Sequence, residues 1–393
     1  MPQHNEINRQ GGPLCGFRVI EFAGLGACPF AAMMLADMGA DVIRIDRRGG
    51  GALMLSGDPR RDVLSRGRRS IQIDLKQEAG VALALRLVVT ADALLEGYRP
   101  GVMERLGLGP TVCLTRHPRL VYCRVTGWGQ TGPLAPRAGH DINYIAVAGA
   151  LGAIRDGSGR PVPPINYLAD FGGGGMLAAF GTVCAILEAQ RSGRGQVVDA
   201  AMTDGVALLG SLIYGLRALG FWPGAPGENL LDGGAPFYDV YQCADERWLA
   251  VGPLEPKFFE TFILTLGLAE EFATAQTAPD VWPRLKARLK DLFRTKPARE
   301  WEALFAATDG CVSEILDHWE APAHPHNRAR KTFFTDGEGT LQPAPAPRFD
   351  RTPGAVHRLP PRPGEHSREI LEELGCSPNE IDELIKLGAV AQS

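Results

Sequence analysis

The segment 17–46 constrains the fold most strongly, because two short apolar runs flank one stretch of helical length. The runs Phe-Arg-Val-Ile-Glu-Phe at 17–22 and Asp-Val-Ile-Arg-Ile-Asp at 41–46 have the length and β-branched content of strands. A turn containing Gly24 and Gly26 leads from the first run into a helix predicted over residues 30–38. This order predicts a βαβ unit, in which the two strands lie parallel.

The same alternation continues through the first half of the chain. A helix is predicted over residues 77–90 and strands over 93–96 and 120–125. Such alternation produces a parallel sheet with helices on its faces. Four glycines at 172–175 lie within a further predicted helix between residues 170 and 190, where small residues allow close packing.

The second half of the chain predicts a smaller α+β domain. Residues 223–235 are rich in Gly and Pro and predict a connector, after which strands are expected within 237–251. Helical spacing follows at 282–293 and 299–307. A proline-rich extended return begins at residue 342, and residues 367–387 have helix-like spacing with a turn at 377–379.

Composition indicates a folded protein with no bulk affinity for nucleic acid. The chain has 393 residues, 45% of them hydrophobic and 22% charged, with a formal net charge of -4. The eight cysteines form no Cys-x-x-Cys pair, and only the proximity of Cys113 to His117 suggests metal ligands. We therefore expect no metal and reduced, mostly buried thiols. The polar start and the lack of an apolar run of membrane-spanning length predict a cytoplasmic protein without a membrane segment.

The turn at Gly24 and Gly26 also resembles the start of a dinucleotide-binding motif, since Asp46 follows about 20 residues later. Pro29 occupies the place where a third glycine would let helix and strand pack closely, and Arg47 directly follows the acid. These departures disfavour nicotinamide binding. A tight turn without a ligand explains the same residues equally well.

A cluster of arginines has two interpretations. Guanidinium groups near strand ends suit phosphate and adenine recognition, because they offer forked donors and a planar face. Charge runs more commonly form a solvated surface, and spacing alone favours that interpretation. The residues are Arg44, Arg47, Arg60, Arg61, Arg66, Arg68, Arg69, Arg99 and Arg105.

The run Gly-His-Asp-Ile-Asn-Tyr at 139–144 is the most suggestive chemically. Asp141 and Asn143 are typical N-cap residues and an apolar helical pattern follows them, which places His140 at a helix entrance. Backbone amides at such a position can stabilise an oxyanion or favour a neutral imidazole base. Both effects suit enolate chemistry. The alternative is a histidine that serves only as a cap or a core hydrogen-bonding group.

Asp170 is a second candidate acid–base group. It lies between the apolar segment 167–169 and the glycines at 172–175, where burial would raise its pKa towards the range useful in proton transfer. The alternative is a simple N-cap for the helix that follows.

Taken together with the runs at 195–199, 229–237 and 251–255, these motifs resemble the α-methylacyl-CoA racemases of the family III CoA-transferase (CaiB/BaiF) fold. The likeness extends from Gly16 to about Phe349. It implies an α/β chain with a Rossmann-like large domain and a smaller α+β domain, in an interlocked homodimer. The expected divisions are residues 1–198 (large domain), 199–238 (linker), 239–325 (small domain), 326–342 (linker) and 343–393 (the return that completes the large domain).

The resemblance also implies a set of site residues. His140 and Asp170 would be the acid–base pair on opposite faces of the acyl α-carbon, with Glu255, from the partner subunit, orienting or charge-balancing His140. The implied reaction interconverts (R)- and (S)-2-methylacyl-CoA through an enolate, with no cofactor beyond the CoA of the substrate. The implied CoA contacts are Arg47, Ile73, Asp74, Leu75, Lys76, Gly97, Tyr98, Arg99, Arg105, Gly139, Asp141, Ile142, Asn143 and Tyr144.

Two other functions compete with racemisation. In the transferases of the same fold, the aspartate matching Asp170 would attack as a nucleophile and form an acyl anhydride while CoA moves between carboxylic acids. His140 favours the racemase, because a proton-shuttling pair needs a base opposite that aspartate. A catalytically silent CoA-binding protein is the third possibility, which the presence of both groups disfavours.

Overall fold

The computed structural model describes residues 11–48 and 57–393, and the chain divides into two compact units. The first unit takes in the described parts of residues 1–148, 164–209 and 330–393. The second unit takes in residues 149–163 and 210–329. The domain bounds expected from the sequence stay a prediction, because this division into compact units does not test them.

The strands of the two units are short, as is usual in α/β proteins. They are β1 (Arg18–Phe22), β2 (Asp41–Arg47), β3 (Arg68–Ile73), β4 (Ala93–Glu96), β5 (Val121–Thr126), β6 (Val197–Ala201), β7 (Asp239–Gln242), β8 (Trp248–Val251), β9 (Val312–Glu314), β10 (Phe333–Thr335), β11 (Leu341–Pro343) and β12 (Val390–Ala391).

The α-helices connect these strands and cover the sheets. They are α1 (Ala27–Asp37), α2 (Glu78–Val89), α3 (Val102–Arg105), α4 (Pro110–Arg116), α5 (Asp141–Val147), α6 (Ala150–Ala153), α7 (Leu177–Ser192), α8 (Met202–Leu209), α9 (Ser211–Ala218), α10 (Pro256–Thr265), α11 (Ala269–Phe272), α12 (Trp282–Phe293), α13 (Ala298–Phe305), α14 (Pro325–Arg330), α15 (Ser367–Glu373) and α16 (Pro378–Lys386).

The first unit is built on a seven-stranded sheet in the order β12-β3-β2-β1-β4-β5-β6. Neighbouring strands are parallel, except that β12 runs antiparallel to β3 at the edge. The central strands are buried on both faces, as Ile20, Ile43 and Leu94 illustrate with no exposed surface. The predicted α/β class with a parallel central sheet is therefore confirmed.

The strand order places a topological switch point beside β1. From β1 the chain first builds outward through β2 and β3, and then crosses to the other side to build β4, β5 and β6. The loops that follow β1 and β4 therefore diverge at the carboxyl edge of the sheet. Open α/β sheets bind their ligands in the crevice that such diverging loops create.

Sequence patterns located most of the central strands but missed three. The predicted strands at 17–22, 41–46, 93–96 and 120–125 correspond to β1, β2, β4 and β5 within one residue at each end. Strands β3, β6 and β12 were not predicted from periodicity. Strand β3 has the sequence Arg-Arg-Ser-Ile-Gln-Ile. Its two arginines belong to the basic stretch, which was interpreted as a charged surface, so the buried strand was not predicted.

The interpretation of the basic stretch as a solvated surface is wrong for Arg66, Arg68 and Arg69. Each of these guanidinium groups is buried, and each is paired with a carboxylate, which is the condition under which charge is tolerated in a core. The pairs are Arg66–Asp37 (2.6 Å), Arg68–Glu21 (3.0 Å) and Arg69–Asp41 (2.7 Å). These arginines therefore hold the sheet and its helices together, and they are not the phosphate site.

The helix predicted between residues 170 and 190 has two parts. A π-helix, Tyr167–Met176, contains the four glycines, and α7 continues from it. The continuous stretch Tyr167–Ser192 has 26 residues, and its most apolar 18-residue window has a mean hydropathy of 1.4, so its length and composition are enough to cross a membrane. The expectation that no apolar run reaches this length is therefore wrong, because glycine and alanine extend the apolar stretch across Asp170. Of its most apolar window 44% is buried inside the protein, and buried core helices commonly have this composition.

The second unit contains an antiparallel sheet, β7-β8-β9, whose core is strongly aromatic. Phe237, Phe259 and Phe293 are each at most 2% exposed. The helix predicted at 282–293 has the same bounds as α12, and the strands predicted within 237–251 correspond to β7 and β8. Asn229 fixes the loop that precedes this sheet, because its side chain accepts from the Gly224 amide at 2.8 Å.

Candidate active site

Asp170 lies at the switch-point crevice, inside the π-helix. Asn166 occupies the N-cap position of that helix, so the alternative interpretation of Asp170 as its cap is wrong. The Asn166 side-chain amide donates to Oδ2 of Asp170 at 3.0 Å. On another side the carboxylate packs against Gly26, where a Cβ atom would lie 3.1 Å from Oδ2 and where φ is +64°. The turn after β1 therefore needs a glycine, because it makes room for the Asp170 carboxylate.

Burial raises the pKa of Asp170 above its usual value, as expected from the sequence. The hydrogen bond from Asn166 opposes this effect, since it stabilises the ionised carboxylate. The nearby carboxylate of Asp141 raises the pKa further, and His140 lowers it. Asp170 thus combines partial burial with an electrostatic interaction with His140, which suits an acid–base residue.

His140 is the N-cap residue of α5, so the predicted position at a helix entrance is confirmed. The backbone amide of His140 donates to Oδ1 of Asn143 at 3.1 Å. The His140 carbonyl accepts from the Asn143 and Tyr144 amides at 2.8 and 3.2 Å. The histidine side chain is exposed at the start of the helix. The Asn143 side chain, in the first turn of α5, therefore provides the acceptor for the N-cap amide of His140.

Asp141 links the two candidate acid–base residues. Its side chain is only 5% exposed, and its Oδ2 accepts from the backbone amides of Ala169 at 2.7 Å and Asp170 at 2.9 Å. The residue directly after His140 thus fixes the backbone of Asp170. Asp141 was also expected among the CoA contacts, which stays a prediction. Its carboxylate is directed into the protein, where it accepts from the Ala169 and Asp170 amides.

Tyr144 packs against the loop that precedes α5 and fixes its conformation. Its hydroxyl donates to the Gly139 carbonyl at 2.5 Å, and its ring meets Trp128 edge-on with centroids 4.8 Å apart. A Cβ atom at Gly127 would overlap the tyrosine ring, and one at Gly139 would lie 2.7 Å from it. Burial raises the pKa of Tyr144, with a further contribution from Asp170, while Arg99 opposes both.

Arg47 and Tyr98 lie on the two sides of the switch point. The Arg47 guanidinium lies over the Tyr98 ring at 5.1 Å from its centroid, and the Tyr98 hydroxyl donates to the Ala23 carbonyl at 3.2 Å. The Tyr98 amide donates to buried Glu96 at 2.7 Å, and burial raises the pKa of Glu96 to about 6. These contacts fix a cation and an aromatic face beside the crevice, as adenine and phosphate recognition requires.

The remaining CoA contacts expected from the resemblance follow the ends of neighbouring strands. Residues 73–76 end β3 and lead into α2, and residues 97–99 follow β4. Within the first of these loops Asp74 accepts from the Lys76 amide at 3.0 Å. Arg105 lies in the short helix α3, with Nη1 close to Gly101, and Ile142 is exposed in the first turn of α5. Parallel strands bring these loops to one edge of the sheet.

Glu255 belongs to the second unit. It is exposed at the N-cap position of α10, and it contributes to the raised pKa of nearby Cys311, for which burial is the main cause. Its expected pairing with His140 stays a prediction. Beside β7 and β8 the second unit also contains a cavity of about 530 Å³, which Leu231, Tyr238 and Val251 help to line.

Neither a dinucleotide nor a metal site is assembled from the residues suggested by sequence. Asp46, the acid expected to hold a ribose, accepts from Ser70 at 2.6 Å and from Arg44 at 3.0 Å. Cys113 is buried and donates to the Leu108 carbonyl at 3.2 Å. In residues 11–48 and 57–393, no group of three or more His, Cys, Asp or Glu side chains is arranged as metal ligands. Five of the eight cysteines are buried and all eight are free thiols, as expected.

The fold and this site define the class of protein. The chain belongs to CoA-transferase family III, whose family model matches residues 14–367. It is 45% identical to the α-methylacyl-CoA racemase of Mus musculus and 44% identical to that of Homo sapiens. Each comparison covers 94% of this chain and 96% of the relative.

More distant relatives include transferases. The chain is 31% identical to the succinyl-CoA–L-malate CoA-transferase beta subunit of Chloroflexus aurantiacus, over 95% of this chain and 96% of that one. Among solved structures, a CAIB/BAIF family protein from Brucella suis matches with a TM-score of 0.79 at 25% identity, covering 93% of this chain and all of that one.

Sequence reasoning missed Asn166, which makes the direct contact with Asp170. The contact could have been predicted from the spacing of four residues between Asn166 and Asp170, because side chains at i and i+4 on a helix are neighbours. The prediction began the helix at Asp170, and Asn166 therefore fell outside it. The role of the Asp141 side chain had no local signal, since its partners lie 28 and 29 residues further along the chain.

Proposed function

We propose that this chain is an α-methylacyl-CoA racemase, an isomerase that interconverts (R)- and (S)-2-methylacyl-CoA thioesters. The observation that carries the proposal is the connection between His140 and Asp170, two electrostatically coupled groups whose backbones Asp141 joins. The identity of 44–45% to racemases over nearly the whole chain supports it.

The reaction needs one group that accepts a proton and one that donates a proton. In one direction neutral His140 removes the α-proton, the C–H electron pair moves into an enolate, and protonated Asp170 delivers its proton to the opposite face. In the other direction the Asp170 carboxylate removes the proton and the His140 imidazolium returns one. Burial favours the proton-bearing form of Asp170, which the first direction consumes and the second regenerates.

The enolate oxygen needs a hydrogen-bond donor, because a thioester α-proton is only weakly acidic. The amides of Asp141 and Ile142 lie in the first turn of α5, beside His140, and donate to no acceptor among the residues that the structure describes. We assign one of them as the donor to the thioester oxygen. The pantetheine and nucleotide would then extend along the carboxyl edge, past Tyr98 and Arg47, towards residues 73–76. No cofactor beyond the substrate's own CoA enters this scheme.

The proposed assembly is a homodimer in which Glu255 of one subunit approaches His140 of the other. An exposed apolar face on α7 supports a second copy as the partner, since Phe180 is 67% exposed and Leu187 58% exposed. We also propose a cytoplasmic location, which the free cysteines support.

A CoA-transferase is the alternative function of this fold, with Asp170 as the nucleophile. The decisive experiment incubates one pure epimer of a 2-methylacyl-CoA in deuterated water, with and without an acceptor carboxylic acid. Racemisation predicts deuterium at C2 together with loss of optical purity, whether or not the acceptor is present. Transfer of CoA to the acceptor without label at C2 would refute the proposed function.

A further inference from the structure

The C-terminal segment, residues 387–391, lies beside the loop that carries four of the proposed CoA contacts. The family match ends at residue 367, so this segment lies beyond it. The proposed proton transfers make no use of it. Its contacts with the carboxyl edge of the sheet nevertheless indicate a role in substrate binding.

The segment is firmly attached to the sheet. Strand β12 pairs with the edge strand β3, with Val390 opposite Ile73 and Ala391 opposite Gln72. Val390 is 1% exposed and Ala389 has no exposed surface. Because the backbone is fixed on one side by the ladder and on the other by core packing, its carbonyl groups have defined directions.

Two of these carbonyls are directed at the loop that follows β3. The Ala389 carbonyl accepts from the Asp74 amide at 2.8 Å, and the Gly388 carbonyl accepts from the Gln77 side chain at 3.2 Å. Gln77 also donates to the Asp74 carboxylate at 3.1 Å. The conformation of residues 73–76 is therefore fixed from the C-terminal segment.

Gly388 also positions the guanidinium group of Arg48. Its carbonyl accepts from Nη1 of Arg48 at 2.6 Å. Its φ is +72°, and a Cβ atom at this position would overlap the Arg48 guanidinium. The pKa of Asp74 lies below its usual value mainly because the Lys76 amide donates to it, and Arg48 adds to this effect. Arg48 is thus held between Gly388 and the neighbourhood of Asp74.

We propose that the segment 387–391 positions the binding site for the phosphates of CoA. It fixes the loop at 73–76, and it holds Arg48 next to Arg47 at the end of β2. Arg47, Arg48 and Lys76 give this edge the positive charge that a polyphosphate needs. The inference rests on the proposed function, since that identifies the ligand as an acyl-CoA. Because the thioester reacts at the start of α5, the segment acts on affinity and not on proton transfer.

A pair of glycine substitutions tests this role in the full-length protein. Gly388→Ala displaces the Arg48 side chain. Gly375→Ala is the matched control, because Gly375 also has a positive φ, of +78°, but a Cβ atom there meets nothing within 4 Å. Both variants carry a similar backbone strain, so the difference between them reports the contact with Arg48.

The measurements are the calorimetric Kd of adenosine 3′,5′-bisphosphate and the KM and kcat for a 2-methylacyl-CoA. We expect Gly388→Ala to raise Kd and KM by about tenfold, the effect of losing one charge-assisted hydrogen bond, while kcat stays within about twofold. Gly375→Ala should match the wild type. Adding Gly388→Ala to Arg48→Ala should change Kd little further, because both act on the same guanidinium.

Three results would overturn the inference. They are equal Kd values for the two glycine variants, a fall in kcat with KM unchanged in Gly388→Ala, and no binding of the bisphosphate by the wild type. The binding measurement involves no turnover. A wild-type protein that binds the bisphosphate but does not epimerise acyl-CoA would therefore refute the proposed function and leave the inference on the segment standing.

Discussion

Burial is the main cause of the raised pKa of Asp170, and two neighbouring residues, Asn166 and Asp141, adjust that pKa in opposite directions. Asn166 donates to the carboxylate and favours its ionised form, whereas the negative charge of Asp141 favours the protonated form. Asp141 also fixes the Asp170 backbone through two amide hydrogen bonds. The same pair of neighbours should therefore control both the position of the acid–base group and the pH at which it works.

Substitution of these neighbours should shift the pH profile of the site in opposite directions. For the epimer whose proton Asp170 removes, kcat/KM falls at low pH as the carboxylate becomes protonated. Asn166→Ala removes the bond that lowers the pKa, so the acidic limb should move to higher pH. Asp141→Asn removes a like charge and retains an acceptor for the two amides, so the limb should move to lower pH.

The measurement is kcat/KM against pH for each pure epimer. The control is Gln130→Ala, which should leave the limb unshifted, because no proposed step uses this side chain. The backbone amide of Gln130 donates to Asp199 at 3.0 Å, and the substitution retains that bond. Shifts of the same sign in Asn166→Ala and Asp141→Asn would contradict this account of the Asp170 environment.

Among the secondary-structure elements, ion pairs connect the strands of the sheet to one another and to the helices beside them. Arg66 pairs with Asp37 of α1 and Arg69 of β3 pairs with Glu373 of α15, each at 2.6 Å. Arg68 and Glu21, on β3 and β1, are at most 1% exposed as side chains and pair at 3.0 Å. Arg68 also donates to the Pro29 carbonyl in α1. This arrangement holds the first turn of α1 next to Gly26, and therefore next to the Asp170 carboxylate.

Loss of one member of this pair should destabilise the protein strongly. Arg68→Met leaves Glu21 buried without its cation, and we expect the free energy of unfolding to fall by about 3–5 kcal/mol. The double variant Glu21→Leu/Arg68→Met removes both charges and should recover most of the loss. Urea unfolding at one fixed protein concentration measures both effects.

The exposed pair Arg86–Glu380, at 2.8 Å and 43% exposure on each side, supplies the comparison. Arg86→Met should change the unfolding midpoint far less than Arg68→Met. If the double variant at Glu21 and Arg68 is as unstable as Arg68→Met alone, the buried pair is not the source of the effect.

The elements also show what local sequence patterns reveal. Apolar strands and an amphipathic helix such as α12 have a period that can be read directly, and these were predicted closely. Strand β3 could not be read in this way, because Arg68 and Arg69 are neutralised by carboxylates far away in sequence, at Glu21 and Asp41. The π-helix could not be predicted from the sequence either, since its wide turn depends on tertiary packing around the glycines.

For the site, sequence placed His140 at a helix entrance and predicted the direction of the Asp170 pKa shift. Local patterns alone left each residue with a structural alternative, and the family resemblance gave the pair its catalytic interpretation. The links between the two residues could not be predicted from the sequence, because Asp141 contacts Ala169 and Asp170 only in the folded chain.

For the whole molecule, the proposed assembly contains two copies of the chain. Phe180, Val183 and Leu187 lie on one face of α7 and are 67%, 38% and 58% exposed. Such a face is unfavourable in water, and a second subunit would cover it. Glu255 can complete the site of a neighbouring subunit only in such an assembly.

Light scattering should therefore give a particle of about twice the 42.3 kDa chain mass. Phe180→Asp combined with Leu187→Asp should shift the mass towards one chain and lower kcat/KM, because charges at a buried interface are costly. Val89→Asp, at a 47% exposed position at the end of α2, is the control for adding charge and should leave mass and activity unchanged. Retention of the dimer in the double variant would exclude this face as the interface.

In the proposed mechanism, His140 and Asp170 each serve one face of the same carbon. The most direct measurement follows deuterium entry at C2 from each pure epimer of a 2-methylacyl-CoA in His140→Ala and in Asp170→Asn. We predict that each variant exchanges the α-proton of one epimer, a different one in each case, and that neither variant inverts the configuration. Equal exchange of both epimers, or continued inversion, in either variant would contradict the two-base account.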